Sequence, residues 1–263
     1  MFVREGAVVC SASDLKAAVE CEWALMRRLD AKLGRVDAVP EPVDAMNRRA
    51  AGLGDAHELR QLDEYVAAFG THVPGSAGGV AVIERPQSST DFAQLREAQQ
   101  HTLAAIRDGA DVVFQATLFD GSFLGFADFL VRVDGAGAGD TWDVYDTKLA
   151  RRARVTALLQ LAAYAGALQG LGVRVGEQVH LLLGDGTTSS HRLVEVQPVF
   201  EARIRRLREL VDARLADDAP IAWGAHGIAA DGRCAECTAQ VEATRDVLLV
   251  LSLIHISEPT RPY

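Results

Sequence analysis

Apolar and polar positions along the chain predict helices first, a run of strands in the middle, and mixed elements after that. Residues 6–10 form a short apolar strand-like piece. Ser11 or Ser13 is an N-cap for a helix over 14–32, in which Leu15, Val19, Trp23, Met26 and Leu29 make one stripe. Pro40 and Pro42 break the pattern, and a second helix follows over 43–69, weakened by Gly52 and Gly54. Residues 79–85, GVAVIER, read as a short strand, and Ser88-Ser-Thr-Asp91 caps a helix reaching Arg107. Residues 111–119, DVVFQATLF, are apolar and β-branched, and Asp120-Gly121 is a strong hairpin signal into a strand over 123–134. A Gly-rich turn leads to a further strand over 141–149, so three strands in sequence form an antiparallel meander. A helix over 153–171 comes next, then strands over 178–183 and 190–196 about Gly184-Asp-Gly186, and a helix from Pro198 to about residue 215. This order predicts an α/β domain, with a central mixed sheet that carries the meander and helices on its faces.

The hairpin carries the candidate chemistry. Asp128 and Asp146 lie at equal distances from Gly137, so a simple antiparallel hairpin sets the two carboxylates opposite each other on one face. Lys148 shares that face by alternation. Opposed carboxylates raise each other's pKa, and a divalent cation relieves them. Thr147 directs its side chain to the far face on this reading and leaves its backbone carbonyl as a further oxygen ligand. Oxygen donors suit Mg²⁺ or Mn²⁺ better than zinc. Gln115, in the first strand of the meander, is a candidate neighbour, and Gln160 and Tyr164, four apart, fall on one face of the helix that follows.

Composition changes this picture in two respects. With 263 residues, 49% of them hydrophobic, the chain can bury a sizeable core, and the expected architecture is one domain over 1–250 with a separate tail over 251–263. A net charge of −9 argues against a nucleic-acid protein, because phosphate binding normally shows as a basic footprint, but local distribution matters more than the sum. Lys148, Arg151, Arg152 and Arg154 form one, and Arg203, Arg205, Arg206 and Arg208 another; either could face phosphates. No charged segment followed by an apolar one opens the chain, and the late apolar run over 247–256 is too short to span a bilayer. The expectation is a soluble, cytoplasmic protein without a membrane partner.

Gly125-x-x-Asp128, Asp146-x-Lys148 and Gln160-x-x-x-Tyr164, in this order, resemble the RecB-like branch of the PD-(D/E)XK nucleases. The Gly54-x-x-His57-Glu58 setting is similar to that family's first motif, a helical histidine preceded by glycine. The resemblance implies a restriction-endonuclease-like core and Mg²⁺- or Mn²⁺-dependent hydrolysis of DNA phosphodiester bonds, as part of a repair or recombination nuclease-helicase. It further implies that His57, Asp128 and Asp146 hold the metal with the Thr147 carbonyl, and that Lys148 assists. Glu58 is the fallback ligand. Gln160 and Tyr164 would support the site or contact DNA. The alternative is a catalytically inactive module of the same fold that binds DNA or acts as a scaffold.

Cys10, Cys21, Cys234 and Cys237, in a chain without a secretory signal, do not suggest a disulfide framework. Cys234-Ala-Glu-Cys237 has the bite of a metal knuckle. The same family resemblance implies that Cys21 joins this pair around a 4Fe-4S cluster. The family's spacing puts the fourth cysteine at Ala243, where this chain departs from it, so Cys10 or His226 as substitute, zinc in place of iron, or a degenerate site all stay open. The closing LSLIHISEPTRPY resembles translated sequencing-adapter read-through. On that reading the natural protein continues differently, and a helicase domain is the expected neighbour.

Overall fold

The computed structural model describes residues 1–4, 6–40, 45–133, 140–246 and 249, with the side chains of 45–48 left aside. The turn about Gly137 and the tail over 251–263 lie outside the described residues. The chain divides into two compact units, Met1–Lys16 with Asp44–Arg205, and Ala17–Val43 with Arg206–Tyr263.

The first unit is α/β. Strands β1 (Phe2–Arg4) and β2 (Ala7–Ser11) form a short antiparallel pair, and helix α1 (Ala12–Glu20) starts directly after them. Ser11 is the cap: its Oγ and N–H donate to Asp14 Oδ2 at 2.6 and 2.8 Å. Helix α2 (Glu22–Lys32) belongs to the second unit, and α3 (Ala45–Phe69) runs unbroken through both glycines. Strand β3 (Val80–Val82), helix α4 (Phe92–Asp108), strands β4 (Val112–Phe119), β5 (Phe123–Val133) and β6 (Thr141–Lys148), helix α5 (Val155–Gly170), and strands β7 (Val175–Leu183) and β8 (Thr188–Arg192) follow. Helix α6 (Leu193–Leu215) begins in this unit. The sheet is mixed and eight-stranded, in the order β1-β2-β5-β6-β7-β8, with β4 on the other side of β5 and β3 parallel to β4. The meander β4–β5–β6 is antiparallel, as expected. Its register runs from Val133↔Thr141 to Phe129↔Tyr145 and ends one step short of Asp128 and Asp146. No helix among the described residues is long and apolar enough to cross a membrane.

Helices α4 and α5 cover one sheet face, where Ala98, Ala105, Leu161 and Leu168 pack on Val113, Leu130 and Val144. Helix α3 covers the other, through Leu62, Tyr65 and Val66 on Phe114 and Phe129. Strict alternation fails at one place. Phe114 belongs to the α3 side, yet Ala116 and Leu118 pack on the α5 side with Val113, and Ala127 and Leu130 share that cluster while Phe129 does not. Gln115, which the register places opposite Asp128, has φ of 56° and absorbs the reversal.

Three elements differ from the sequence expectation. The helix over 14–32 is two helices, because Cys21 is extended (φ −162°, ψ 104°) and caps α2, its sulfur accepting from Ala24 N–H at 3.4 Å. Residues 193–196 are helical rather than strand, since Leu193, Val196 and Phe200 share one helical face and pack on the core. Strand β3 ends at Val82, short of the expected Arg85.

In the second unit, buried Asp30 accepts from Arg35 at 3.1 Å, from Ile221 N–H at 2.8 Å, and pairs with Arg214 at 3.0 Å. Glu22 takes a bidentate pair from Arg206, at 2.9 and 2.8 Å. Helix α7 (Ala235–Thr244) follows Cys234, which occupies its N-cap position.

Gly125 on β5 lies against helix α5, and a Cβ there would sit 2.6 Å from Tyr164 Cε1 and 2.9 Å from Cδ1. Gly125→Ala is expected to cost about 1–3 kcal/mol by overpacking this buried ring, measured by denaturant unfolding. Wild-type stability in the variant would show that the ring moves freely.

Candidate functional site

The site opens where β6 leaves β5. Strand β4 occupies one edge of β5 from Leu124 to Val131, so β2 and β6 share the other. On that edge the β2 ladder ends at Leu124 and the β6 ladder begins at Phe129, leaving 125–128 between them. A cleft of about 370 Å³ is lined there by His57, Glu58, Arg85, Asp128, Asp146, Thr147, Lys148, Gln160 and Tyr164. All seven expected site residues of this unit therefore share one cavity, brought together from α3, β5, β6 and α5.

Asp146 is fully buried. Its Oδ1 accepts from Gln160 Nε2 at 3.1 Å, and Oδ2 pairs with the Lys148 ammonium. Gln160 Nε2 also donates to the Tyr164 hydroxyl oxygen at 2.9 Å, so the glutamine ties the acid to the tyrosine. Burial, then the charge of Asp128, raises the Asp146 pKa well above the usual carboxylate range, and Lys148 opposes the shift. Burial also raises the Tyr164 phenol, with Asp146 adding to it.

Asp128 corrects one expectation. Its Oδ2 accepts from both Thr147 N–H and Thr147 Oγ1, each at 2.8 Å, so the threonine side chain meets an acid instead of pointing away from both. The break in alternation at Gln115 lies on the same rung of the β4–β5 pair as Asp128.

His57 lies in the cleft with its Nε2 3.2 Å from the Leu182 carbonyl oxygen. It does not join the carboxylates in a ready-made ligand set: among the described residues, only Cys21, Cys234 and Cys237 form a group of three with ligating atoms within 4.8 Å of one another. Glu58, the fallback ligand, is more engaged with the site. It accepts from Gln115 Nε2, and Gln115 Oε1 accepts from Arg85 Nε at 2.5 Å. Burial, then Asp128, raises the Glu58 pKa from its ordinary 4.5 to about 7. The sequence reading missed Arg85, whose guanidinium sits 5.2 Å from the Phe126 ring centroid. Its only signal was a cation at the end of an apolar strand, just before Pro86.

The cysteines converge within the second unit. Cys21 and Cys237 sulfurs are 3.5 Å apart, and Asp231 N–H donates to Cys21 Sγ at 3.3 Å. Burial raises the Cys237 and Cys234 thiols. The three lie close enough to bind a metal, and the group includes neither Cys10 nor His226. Of the second arginine cluster, Arg206 is taken up by Glu22.

No protein-family model and no curated protein matches the chain.

The carboxylate shifts fix a pH dependence. Between 4.5 and about 7 the folded chain holds a proton on Glu58 that the unfolded chain has lost, so folding stability falls as pH rises through that window. Asp146 acts in the same direction. In chelator, the Tm should fall across this range, and Glu58→Gln should flatten the fall. A native Tm that climbs steadily over the window would contradict the assignment.

Proposed function

We propose that the first unit is a metal-dependent nuclease that hydrolyses phosphodiester bonds of DNA, with a restriction-endonuclease-like core. The observation that carries this reading is the meeting of Asp128, Asp146 and Glu58 in one cleft, with Lys148 on Asp146 and Gln160 behind it. By type the donors suit a hard dication: three carboxylates supply only oxygen, and Glu58 and Asp146 are pushed upward in pKa by burial and then by the charge of Asp128. Asp128 and Asp146 would hold Mg²⁺ or Mn²⁺, with Glu58, His57 or the Thr147 carbonyl as further ligands. When bound, such an ion supplies positive charge against the carboxylates and against the charge developing at phosphorus.

The remaining work falls to the chain. Lys148, anchored by Asp146, orients the water for in-line attack and neutralises charge on the phosphate. Gln160 keeps Asp146 aimed and is itself held by Tyr164. Arg85, at the mouth, is placed to meet a non-bridging phosphate oxygen. DNA is the proposed partner, and a neighbouring helicase rests on the family resemblance alone. In the second unit the cysteine group would hold zinc or an iron–sulfur cluster, tying α2 to α7.

A second reading, an inactive DNA-binding or scaffold module, is favoured by one observation. Lys148 and Thr147 already engage the two aspartates, and Gln115 engages Glu58, so the acids have partners within the chain.

Cleavage of single-stranded and duplex DNA with Mn²⁺ separates the two. The native protein should cut, and Asp146→Ala and Lys148→Ala should each lose about a hundredfold or more in rate. No cleavage by the native protein supports the module, and equal cleavage by all three points to a contaminant. Anaerobically purified protein should carry zinc or iron by elemental analysis and lose it in Cys237→Ala. Metal-free native protein would reject the cysteine site.

A further inference from the structure

Beside the cleft runs a second and larger concavity, a groove of about 640 Å³ within the first unit. Lys16, Lys148, Arg152 and Arg154 line it, and among the described residues no carboxylate lines it. In a chain of net charge −9, this is a local concentration of one sign. Lys16, Arg152 and Arg154 are exposed, so a ligand can reach them. Cleft and groove are not separate places: Lys148, Leu149 and Gln160 line both. Among the described residues the rest of the groove wall is small or aliphatic, including Ala12, Ala150 and Ala157, and contains no aromatic ring.

We propose that this groove is the track for the sugar–phosphate backbone of a single nucleic-acid strand, next to the phosphodiester held in the cleft. The proposal rests on reading the cleft as the seat of that phosphodiester. Three cations beyond Lys148 suit successive phosphates, and a wall without aromatic rings offers no platform for stacking bases. Binding along the groove therefore reads backbone charge and ignores sequence. The carboxylates stay at one end, where a phosphate is to be cut, and the cations take the adjoining stretch, so the strand is held beside the scissile bond without being repelled by the acids.

The test is fluorescence anisotropy of the full chain in EDTA, titrated with a short labelled oligothymidylate at several salt concentrations. Removing two phosphate contacts from a single strand should lower the slope of log K against log salt by about 1.4. Arg152→Ala with Arg154→Ala should show that drop, with an unchanged circular dichroism spectrum. Arg203→Ala with Arg205→Ala, the same charge loss on α6, should leave the slope as in the native chain. An unchanged slope in the groove variant, an equal drop in both variants, or a drop seen only with duplex DNA would each overturn the groove. Cleavage with Mn²⁺ is measured apart: a lowered slope in a protein that never cuts sinks the nuclease reading alone, and cleavage with an unchanged slope sinks the groove alone.

Discussion

The architecture of the first unit turns on one backbone reversal. At Gln115 the chain takes a φ of 56°, a conformation that costs a residue other than glycine about 1–3 kcal/mol. The reversal lets residues on either side of it reach different cores: Phe114 packs under α3, while Ala116 and Leu118 pack under α5. Its neighbour across the ladder is Asp128, so the break in alternation and the first acid of the cleft occupy the same rung. The Gln115 side chain joins Glu58 to Arg85, and these bonds offset part of the strain. Where β6 then parts from β5, a cavity forms that a regular hairpin would have closed.

Electrostatics sets this cleft apart from the rest of the molecule. The second unit also buries a carboxylate, Asp30, but surrounds it with two guanidinium groups and a backbone N–H. That charge is matched and serves the packing of its own unit. Asp146 is equally buried, yet it has a single ammonium partner and two further carboxylates close enough to raise its pKa. A group in that position holds a proton more readily than a solvated carboxylate does.

Much of this was legible in the chain. Strand alternation and the Asp-Gly turn defined the meander, and counting from Gly137 anticipated the register of the β5–β6 ladder, which ends one step short of Asp128 and Asp146. Helical spacing put Gln160 and Tyr164 together, and the structure joins them by a hydrogen bond. Local pattern misled where distant contacts decide the outcome. The apolar stripe from Leu15 to Leu29 reads as one helix, but the Cys21 sulfur meets Cys237, more than two hundred positions away in the chain, and the backbone is extended at Cys21. Residues 190–196 alternate like a strand, but the core receives Leu193, Val196 and Phe200 on one helical face.

By itself the sequence determined the α/β class and the meander, because both follow from periodicities of two or of about 3.6 residues that operate over short spans, while the ordered set of acids, lysine, glutamine and tyrosine stood out only by its resemblance to a family motif. Only the tertiary structure decided that Thr147 bonds Asp128, that Glu58 and Arg85 enter the cleft through Gln115, and that three of the four cysteines converge. Those outcomes depend on a backbone reversal in one strand and on contacts between residues far apart in the chain. No local pattern encodes which strand edge opens or which distant side chain arrives there, since both are settled by how the whole sheet and its helices share one buried volume.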